Sequence, residues 1–431
     1  MKSTLLNSVC AISFLAAVAM PITLAAQEQK PKSARYTITD LGTLDGGTFS
    51  QPFFINRNGA VSGSATLPDG TQKAVLWRKG RMKDIGALGL GGPNSISFAE
   101  NDSGQAVGEA ETSTPDPNGE DFCGFGTHLT CLPFLWRDGG MIPLPTLGGN
   151  NGVAMAISNP GEVAGFAENS TPDPGCPVPQ VLQFEPVVWK KGVVHSLPTF
   201  GGDPDGVAQQ INDNGVVVGG SGTCATFNTN LFFNLLPVHA LLWENGKVTD
   251  LGNLGGQTGQ AGGNIALDLN NQGQVVGNSD LQGDTTFHAF LWTRATGMQD
   301  LETLAGDVAS LGISINDAGS VIGASLDASF NPRAFLWENG VMTDLNTLIA
   351  GDSPLYLLTG CSINSRGEIT GLGVTSTGEI HTYLATPTQG VAASESTSQS
   401  VISPRILSDD ARKLLQQQLR LGRFQTRLGL Q

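Results

Sequence analysis

The chain of 431 residues is long enough for two or three ordinary domains or for one large array of repeats. Only 14% of its residues are charged, against 57 glycines and 23 prolines, which excludes a protein built mainly from salt-bridged surface helices and favours an all-β fold with many tight turns. Residues 36–387 hold 13 basic and 34 acidic residues, a net charge of −21, so we expect no nucleic-acid partner.

The first 26 residues have the pattern of a secretory signal peptide. Lys2 gives a positive start, residues 10–20 form an apolar stretch, and Ala25 and Ala26 offer small residues at the cleavage site. This stretch is too short to span a bilayer, and no other segment is long enough, so we expect no transmembrane segment. The sequence predicts a secreted or periplasmic protein, with residues 27–35 as an N-terminal linker.

All six tryptophans end the same kind of short apolar segment, and a polar turn follows each of them. The segments are KAVLW at Trp77, PFLW at Trp136, PVVW at Trp189, HALLW at Trp243, HAFLW at Trp292 and RAFLW at Trp337. Consecutive tryptophans lie 59, 53, 54, 49 and 45 residues apart, which suits a repeat of one four-stranded blade with loops of variable length. We interpret the tryptophans as packing between blades rather than as a platform for sugars.

A second element recurs seven times and predicts a hairpin. Its turn glycines are Gly59, Gly104, Gly161, Gly215, Gly273, Gly319 and Gly367, and a further glycine follows four residues after each. An asparagine stands three residues before the turn glycine in every copy except the third, which has Ser158. We expect a turn with positive φ, an asparagine side chain bonded to local backbone, and a bulge or close strand approach at the later glycine.

The two ends of the repeat region are complementary. With strands a to d assigned from the innermost outwards, residues 36–42 are a strand d without its partners, and residues 380–385 are a strand c with no d after it. The sequence therefore predicts a seven-bladed β-propeller over residues 36–387, in which the N-terminal strand joins the last C-terminal blade. An open solenoid would leave two exposed sheet edges.

The repeat resembles the HAF repeat of probable bacterial extracellular proteins. The resemblance is carried by HAFLW ending at Trp292, by related segments ending at Trp243 and Trp337, and by DLGTL and DLGNL beginning at Asp40 and Asp250. It covers essentially all of residues 36–387 and implies export, but no activity. Residues 142–149 and 195–202 lack the aspartate of this pattern, which argues against a common aspartate site. We instead expect the recurring aspartates of strand d to accept hydrogen bonds from the turn that follows this strand. These aspartates are Asp40, Asp84, Asp250, Asp300 and Asp344.

In a four-stranded meander the b–c and d–a connections share one face. Three long b–c insertions, residues 109–132, 167–185 and 221–238, are therefore expected on the same rim as the Gly-rich d–a crossings. Candidate binding residues on this rim are His128, Gly148, Gly149, Gly201, Gly202, Gly255 and Gly256. The crossings could also form backbone nests for anions, although the acidic surroundings oppose this. Neutral drift of surface loops remains an equally open reading of the insertions.

Five cysteines follow the signal, and four of them lie in these insertions. Cys123 can close a small loop with Cys131, and Cys176 with Cys224 can join neighbouring blades. Cys361 lies in an inner strand and is expected to be buried and free. No metal site is expected, because no Cys-x-x-Cys or matching histidine pair occurs.

No catalytic residues or cofactor emerge from the sequence. His239, His288 and His381 open strand c and are interpreted as strand-end surface residues, and no histidine has an evident serine and aspartate partner. The predicted function is an exported, non-enzymatic and monomeric repeat protein that serves as a binding or structural scaffold, with a protein or glycan ligand on its loop-rich face. The alternative is a polysaccharide hydrolase or lyase, which needs acidic groups converging on the axis. Glu100 and Asp268 lie near strand a but do not recur as a set.

The sequence changes character after residue 387. Residues 388–404 are rich in Ser, Thr and Ala and read as a flexible linker. Residues 405–431 carry six basic and two acidic residues and have apolar residues at helical spacing, which predicts a basic amphipathic helix.

Overall fold

The computed structural model describes residues 35–86, 89–226, 237–259 and 261–388, all of which belong to one compact unit, Ser33–Gln431. The expected signal peptide, nearly all of the N-terminal linker and the expected C-terminal helix lie outside these residues. Most of the third insertion, residues 227–236, does so as well. In the part that is described, no helix is long and apolar enough to cross a membrane.

The prediction of an all-β fold is confirmed: the described residues form 28 strands, with a 3-10 turn at Leu345–Leu348. Five separate four-stranded sheets accompany one eight-stranded sheet that contains two further groups of four. The a strands are β2 (Phe49–Ile55), β6 (Gly91–Glu100), β10 (Gly148–Ile157), β14 (Asp205–Ile211), β18 (Ile265–Leu269), β22 (Ala309–Ile315) and β26 (Tyr356–Ile363). The b strands are β3 (Val61–Thr66), β7 (Ala106–Pro115), β11 (Val163–Pro172), β15 (Val217–Gly222), β19 (Val275–Asp280), β23 (Val321–Leu326) and β27 (Ile369–Val374).

The outer two strands of each group complete the antiparallel meander. The c strands are β4 (Gln72–Arg78), β8 (Leu129–Arg137), β12 (Leu182–Lys190), β16 (His239–Glu244), β20 (Phe287–Thr293), β24 (Pro332–Glu338) and β28 (Ile380–Pro387). The d strands are β1 (Tyr36–Asp40), β5 (Arg81–Asp84), β9 (Gly140–Pro143), β13 (Val193–Ser196), β17 (Lys247–Asp250), β21 (Gly297–Asp300) and β25 (Val341–Asp344). We number the groups sheets 1 to 7 in the order of their a strands.

Sheet 7 takes its outermost strand from the N-terminal end of the described chain. Strand β1 pairs antiparallel with β28 from Tyr36 opposite Pro387 to Asp40 opposite Tyr383. This is the pairing that the complementary ends predict. A single parallel bridge between Phe49 and Ile380 then links sheets 7 and 1.

The recurring glycines explain why every hairpin has the same shape. All seven turn glycines have positive φ, between +75° and +90°. At each later glycine, a Cβ atom would lie only 1.8–2.1 Å from a carbonyl oxygen of strand a. Strand a shifts register at this position in all seven sheets. The later glycine is therefore required by a β-bulge that presses strand a against strand b.

The recurring asparagine bonds both its own turn and the neighbouring sheet. Asn56 Oδ1 accepts hydrogen bonds from the backbone N–H groups of Asn58 and Ala60, each at 2.9 Å. Its Nδ2 donates to the carbonyl oxygen of Asn101 in sheet 2 at 3.2 Å. The local bonds were predicted, whereas the bridge to the next sheet was not. Five more Nδ2 bridges repeat this contact: Asn101 to Ser158, Asn212 to Asn270, Asn270 to Asn316, Asn316 to Asn364 and Asn364 to Asn56.

The apolar core lies between neighbouring sheets, and the tryptophans belong to it. Trp77, Trp189 and Trp243 are at most 2% exposed, and their indole N–H groups donate to backbone carbonyls of Leu41, Pro145 and Pro198. Trp136 and Trp292 are also buried, and Trp337 is half-buried. These contacts support the interpretation that the tryptophans pack between sheets.

Two of the predicted insertions are partly strand rather than loop. Strands β7 and β8 continue outwards until Pro115 faces Leu129, and β11 and β12 continue until Pro172 faces Leu182. Threonine has a high β propensity, and the threonines of both segments extend the ladder, so only residues 116–128 and 173–181 form the tips.

Candidate binding surface

The b–c insertions of sheets 2, 3 and 4 lie together on one side of the strands. We call residues 116–128, 173–181 and 223–226 the insertion rim. Aromatic side chains hold it to the inner strands, since the ring of Phe122 lies 5.8 Å from that of Phe166 and 6.3 Å from that of Phe184. Phe122 and Phe184 are at most 3% exposed. The tips are therefore anchored by an apolar cluster of their own.

Both expected disulfides are present in the rim. Cys123–Cys131 closes the insertion of sheet 2, and Cys176–Cys224 joins the insertions of sheets 3 and 4 across a separation of 48 residues. Cys361 is buried and free, as expected. The cross-links restrict the motion of the rim relative to the sheets below it.

Buried acidic side chains also tie one insertion to the next. Glu120 Oε1, in the insertion of sheet 2, accepts hydrogen bonds from the backbone N–H groups of Val181 (2.6 Å) and Leu182 (2.9 Å) in sheet 3. Asp116 Oδ2 accepts a bond from Asn151 Nδ2 at 2.9 Å. Carboxylates that satisfy backbone amides in this way fix the position of both segments.

Two of these buried acids have strongly raised pKa values. Burial raises the pKa of Glu168 well above its usual range, and the nearby charge of Glu120 raises it further. Burial also raises the pKa of Asp205 to about 7, and its contact with Asp173 adds to the shift. Glu168 and Asp205 are both fully buried, so the shifts reflect the packing of the rim and not contact with solvent.

The predicted glycines let the d–a crossings pass closely over strand b. A Cβ on Gly149 would lie 2.4 Å from the Cβ of Glu168, and one on Gly256 would lie 2.4 Å from the Cβ of Asp280. Gly148 and Gly255 have positive φ, as do Gly201 and Gly202 in the turn before β14. Glycine is the residue that allows both the backbone conformation and the close approach.

The amide groups of these crossings already have internal acceptors. Glu168 Oε2 accepts bonds from the N–H groups of Asn150 and Asn151, at 3.1 and 2.9 Å. Asp280 accepts from Ala261 and Gly262 in the same way. Internal carboxylates therefore hold the positions that an external anion would take in a backbone nest.

The histidines are structural in this arrangement. His128 is exposed in the rim, has a φ of +55°, and places Nδ1 2.8 Å from the carbonyl oxygen of Gly119. The strand c histidines lie at the strand ends and are partly exposed, and their pairing with strand d was not expected. Each faces the aspartate of strand d: His239 Nδ1 lies 3.1 Å from Asp250, His288 2.9 Å from Asp300, and His381 2.8 Å from Asp40.

The aspartates of strand d also bond the turn that follows, as the sequence predicts. Asp40 Oδ1 accepts from the N–H of Gly42 at 2.8 Å, and Asp84 Oδ1 accepts from Gly86 at 2.7 Å. Asp250, Asp300 and Asp344 make the same bond. Burial alone would raise the pKa of Asp40, but the bonds from His381 and Gly42 outweigh it and lower the pKa.

The inner strands offer little for acid–base chemistry. Three residues before each recurring turn asparagine, or before Ser158, a side chain lines the inner strands, and in five of the seven copies it is apolar. These residues are Phe53, Phe98, Met155, Gln209, Leu267, Ile313 and Cys361. Asp268 lies beside them, but its Oδ2 accepts bonds from Ser314 and Ile315 and its Oδ1 from Leu269. Burial raises its pKa to about 6. Glu100 pairs instead with Arg78, its Oε1 2.6 Å from Nη2.

The acids that build the rim were missed from sequence, although a signal for them exists. ETSTPDP at residues 111–117 and ENSTPDP at residues 168–174 are near-identical segments in neighbouring insertions. Each begins with a glutamate that is buried under a glycine of the crossing, Glu111 under Gly92 and Glu168 under Gly149. Comparing the insertions with each other would have identified this element.

Two groups of possible metal ligands involve the disulfides. Glu109 lies near Cys123 and Cys131, and Asp173 lies near Cys176 and Cys224. In both groups the sulfur atoms are bonded to each other, which leaves no thiolate as a ligand.

No family model and no curated protein matches the sequence. The fold is similar to the β-propeller domain of the Trilobed protease from Pyrococcus furiosus, with 9% identity and a TM-score of 0.44 over 84% of this chain and 99% of that chain. It is also similar to TolB from Acinetobacter baumannii, with 12% identity and a TM-score of 0.35 over 77% of this chain and 79% of that one. A sialidase of Trypanosoma rangeli is 10% identical with a TM-score of 0.32, over 65% of this chain and 51% of the sialidase. Similarities at this level carry no argument about ligand or activity.

Proposed function

We propose that the chain is an exported seven-bladed β-propeller of the HAF-repeat type whose insertion rim binds a protein or a glycan. The observation that carries the binding role is the internal bracing of the rim. Two disulfides, a phenylalanine cluster and buried carboxylates hold the described residues of the three insertions in one arrangement. Loops that had merely drifted would need none of these contacts, whereas preorganised loops lose less entropy when a partner binds.

The blade count and closure have support from the contacts between sheets. Seven groups of four strands repeat, β1 pairs with β28, and Asn364 donates to the carbonyl oxygen of Asn56 in sheet 1. The ends of all seven a strands also line one shared depression. A closed ring leaves neither sheet 1 nor sheet 7 with an open edge.

Export is supported by the cysteines. Disulfides persist in oxidising compartments, and the two in the rim fit a periplasmic or extracellular protein. This agrees with the signal peptide expected in residues 1–26 and with the location of proteins that carry HAF repeats.

The hydrolase or lyase alternative rests on the raised pKa values of Glu168 and Asp205, because proton-donating acids in such enzymes have raised values. Both side chains are fully buried and already bonded to backbone amides, so a sugar chain cannot reach them without opening the rim. The binding role therefore has the stronger support.

Binding is tested with a variant at the tip of the rim. Val178 is 95% exposed, the highest value among the exposed large apolar side chains. We expect Val178→Asp to weaken binding of a partner found by glycan array or pull-down by about tenfold or more, because the contact would then bury an unpaired carboxylate. Val341→Asp is the matched control, because Val341 is 47% exposed at a c–d turn on the opposite side.

If both variants bind as the unchanged protein does, and removal of residues 117–119 and 177–179 also has no effect, the rim is not the binding surface. Hydrolysis of a polysaccharide by the unchanged protein, lost in Glu168→Gln, would favour the enzymatic alternative instead.

A further inference from the structure

Basic and acidic side chains lie on opposite sides of the sheets. We call the a–b and c–d turns together the turn face, and the b–c and d–a connections together the loop face. The structure describes 14 Lys and Arg residues, of which 11 lie at the turn face. These 11 are Arg35, Arg57, Arg78, Lys79, Arg81, Arg137, Lys190, Lys191, Lys247, Arg294 and Arg366.

The acids are distributed in the opposite way. Of the 34 described Asp and Glu residues, nine lie at the turn face: Glu100, Asp102, Asp138, Glu162, Asp213, Glu244, Asp317, Glu338 and Glu368. The other 25 share the rest of the molecule with only three bases, Lys73, Lys83 and Arg333. All but Asp268 of these acids lie at or next to the loop face. The turn face is thus close to neutral, and the loop face carries nearly all of the negative charge.

Part of this negative charge faces solvent. Five acids are exposed on the loop face: Asp45, Asp69, Asp300, Glu302 and Asp352. These acids lie in connections of sheets 1, 5, 6 and 7, on the same face as the insertion rim of sheets 2, 3 and 4. A field of one sign on one face attracts a cationic partner and repels anionic polymers.

The chain carries a cationic segment of its own that can reach this face. Residues 405–431 contain six basic and two acidic residues, a net charge of +4, while the net charge of residues 36–387 is −21. The described chain leaves strand β28 at Thr388, on the turn face beside Arg35. The 16 residues from 389 to 404 can span about 50 Å at about 3.3 Å per residue, and the longest strands span about 33 Å.

We propose that residues 405–431 dock on the acidic part of the loop face that sheets 1, 5, 6 and 7 form beside the insertion rim. Charge complementarity selects this face, because the nearer turn face holds 11 bases and nine acids and offers no net attraction. Tethering makes the contact intramolecular, with an effective concentration on the order of millimolar. The docking does not depend on the rim having an external partner.

Carboxyl footprinting of the full chain tests the docking. A carbodiimide couples glycine ethyl ester to accessible carboxylates, and mass spectrometry measures the labelled fraction at each site. The test variant replaces Arg412, Lys413, Arg420, Arg423 and Arg427 by Gln in one chain. We expect labelling of at least some exposed loop-face acids to rise about twofold or more in this variant. The same rise is expected in the unchanged protein at about 0.5 M salt, where the screening length is only about 4 Å.

A second variant controls for net charge. This variant removes four exposed cations from the turn face and leaves residues 405–431 intact. Its substitutions are Lys79→Gln, Arg81→Gln, Lys191→Gln and Lys247→Gln. Labelling of the loop face is expected to stay low in this protein, and labelling of Asp138 and Glu244 on the turn face is expected to be equal in the tail variant and the unchanged protein.

Equal labelling of the loop face with and without the tail charges would overturn the proposal. Protection of Asp138 and Glu244 instead would place the segment on the wrong face, and protection that grows with protein concentration would show docking between copies. Each of these results leaves the Val178 binding test unaffected.

Discussion

At the scale of single residues, the recurring a–b hairpin depends on two glycines with different structural roles. The turn glycine supplies a positive φ, and the later glycine supplies space where a bulged strand a crosses strand b. A Cβ on Gly277 would lie 1.9 Å from the carbonyl oxygen of Ile265, a distance that no relaxation of a side chain can relieve. Gly283, in the b–c turn of the same sheet, has a φ of +92° and nothing within 4 Å of its Cβ position.

These two glycines allow a matched test. Gly277→Ala is expected to lower the free energy of unfolding by about 3 kcal/mol or more, because backbone must move in the core. Gly283→Ala is expected to cost about 1 kcal/mol, the usual strain of a non-glycine residue at positive φ. Denaturant unfolding of both variants measures the difference, and equal losses would show that the bulge is not tight.

At the scale of elements, buried acids with raised pKa values help to hold the insertion rim in its folded arrangement. Asp205 lies at the start of β14, where its Oδ1 accepts a bond from the N–H of Phe184 in sheet 3 at 3.0 Å. Its pKa of about 7 means that it is protonated in the folded protein at mildly acidic pH. Because the folded pKa lies above the unfolded value, its contribution to stability is greatest below about pH 4 and is lost as pH rises through about 7.

Replacement by asparagine removes this dependence. We expect Asp205→Asn to have a melting temperature close to that of the unchanged protein at pH 5 and about 2 °C or more higher at pH 8, since asparagine stays neutral and still accepts the Phe184 bond. Asp352→Asn, at an exposed site, serves as the control and is expected to show no such trend. Thermal unfolding followed by circular dichroism at several pH values decides the point. A constant difference between Asp205→Asn and the unchanged protein would contradict the assignment.

At the scale of the whole molecule, β1 is the one described strand that pairs only with a strand far away in the sequence, β28. Its five paired positions cover the edge of β28, and His381 faces Asp40 across them. Without β1, sheet 7 would present an unpaired apolar edge, which favours aggregation.

Removal of residues 36–42 is expected to abolish cooperative unfolding and to increase light scattering. A synthetic peptide of residues 36–42, added at high concentration, is expected to restore part of the transition, because it can pair with β28. Removal of residues 27–34, which lie just before β1, is the control and should leave unfolding unchanged. A fully stable protein without residues 36–42 would show that β1 is dispensable.

The repeat made much of this architecture predictable. Gly59 and its equivalents predict the hairpins, and the unmatched segments at residues 36–42 and 380–385 predict the pairing of β1 with β28. The places of Cys176 and Cys224 in neighbouring insertions likewise made them candidates for the disulfide that the structure contains. In each case the signal is a backbone requirement or a fixed place in the repeat, and such requirements can be read from one chain.

The features that escaped prediction depend on contacts between non-equivalent residues. Glu120 reaches the amides of Val181 and Leu182 only because two insertions of particular length lie side by side. The pairing of His239 with Asp250 across strands c and d needed the register of β16 and β17. Asn56 reaches sheet 2 because the sheets stand close together, which its own turn sequence does not encode.

The asparagine bridges join only adjacent sheets, and this has an evolutionary consequence. A gene that gained or lost one whole unit of about 45–59 residues would encode a chain in which every bridge could still form with its new neighbour. Such a change alters only the angle between successive units, which the loops can absorb. Loss of half a unit, in contrast, would leave a hairpin without its outer strands. Relatives of this chain should therefore differ in length by complete units. In each of them the first strand should complete the last sheet, as β1 does here.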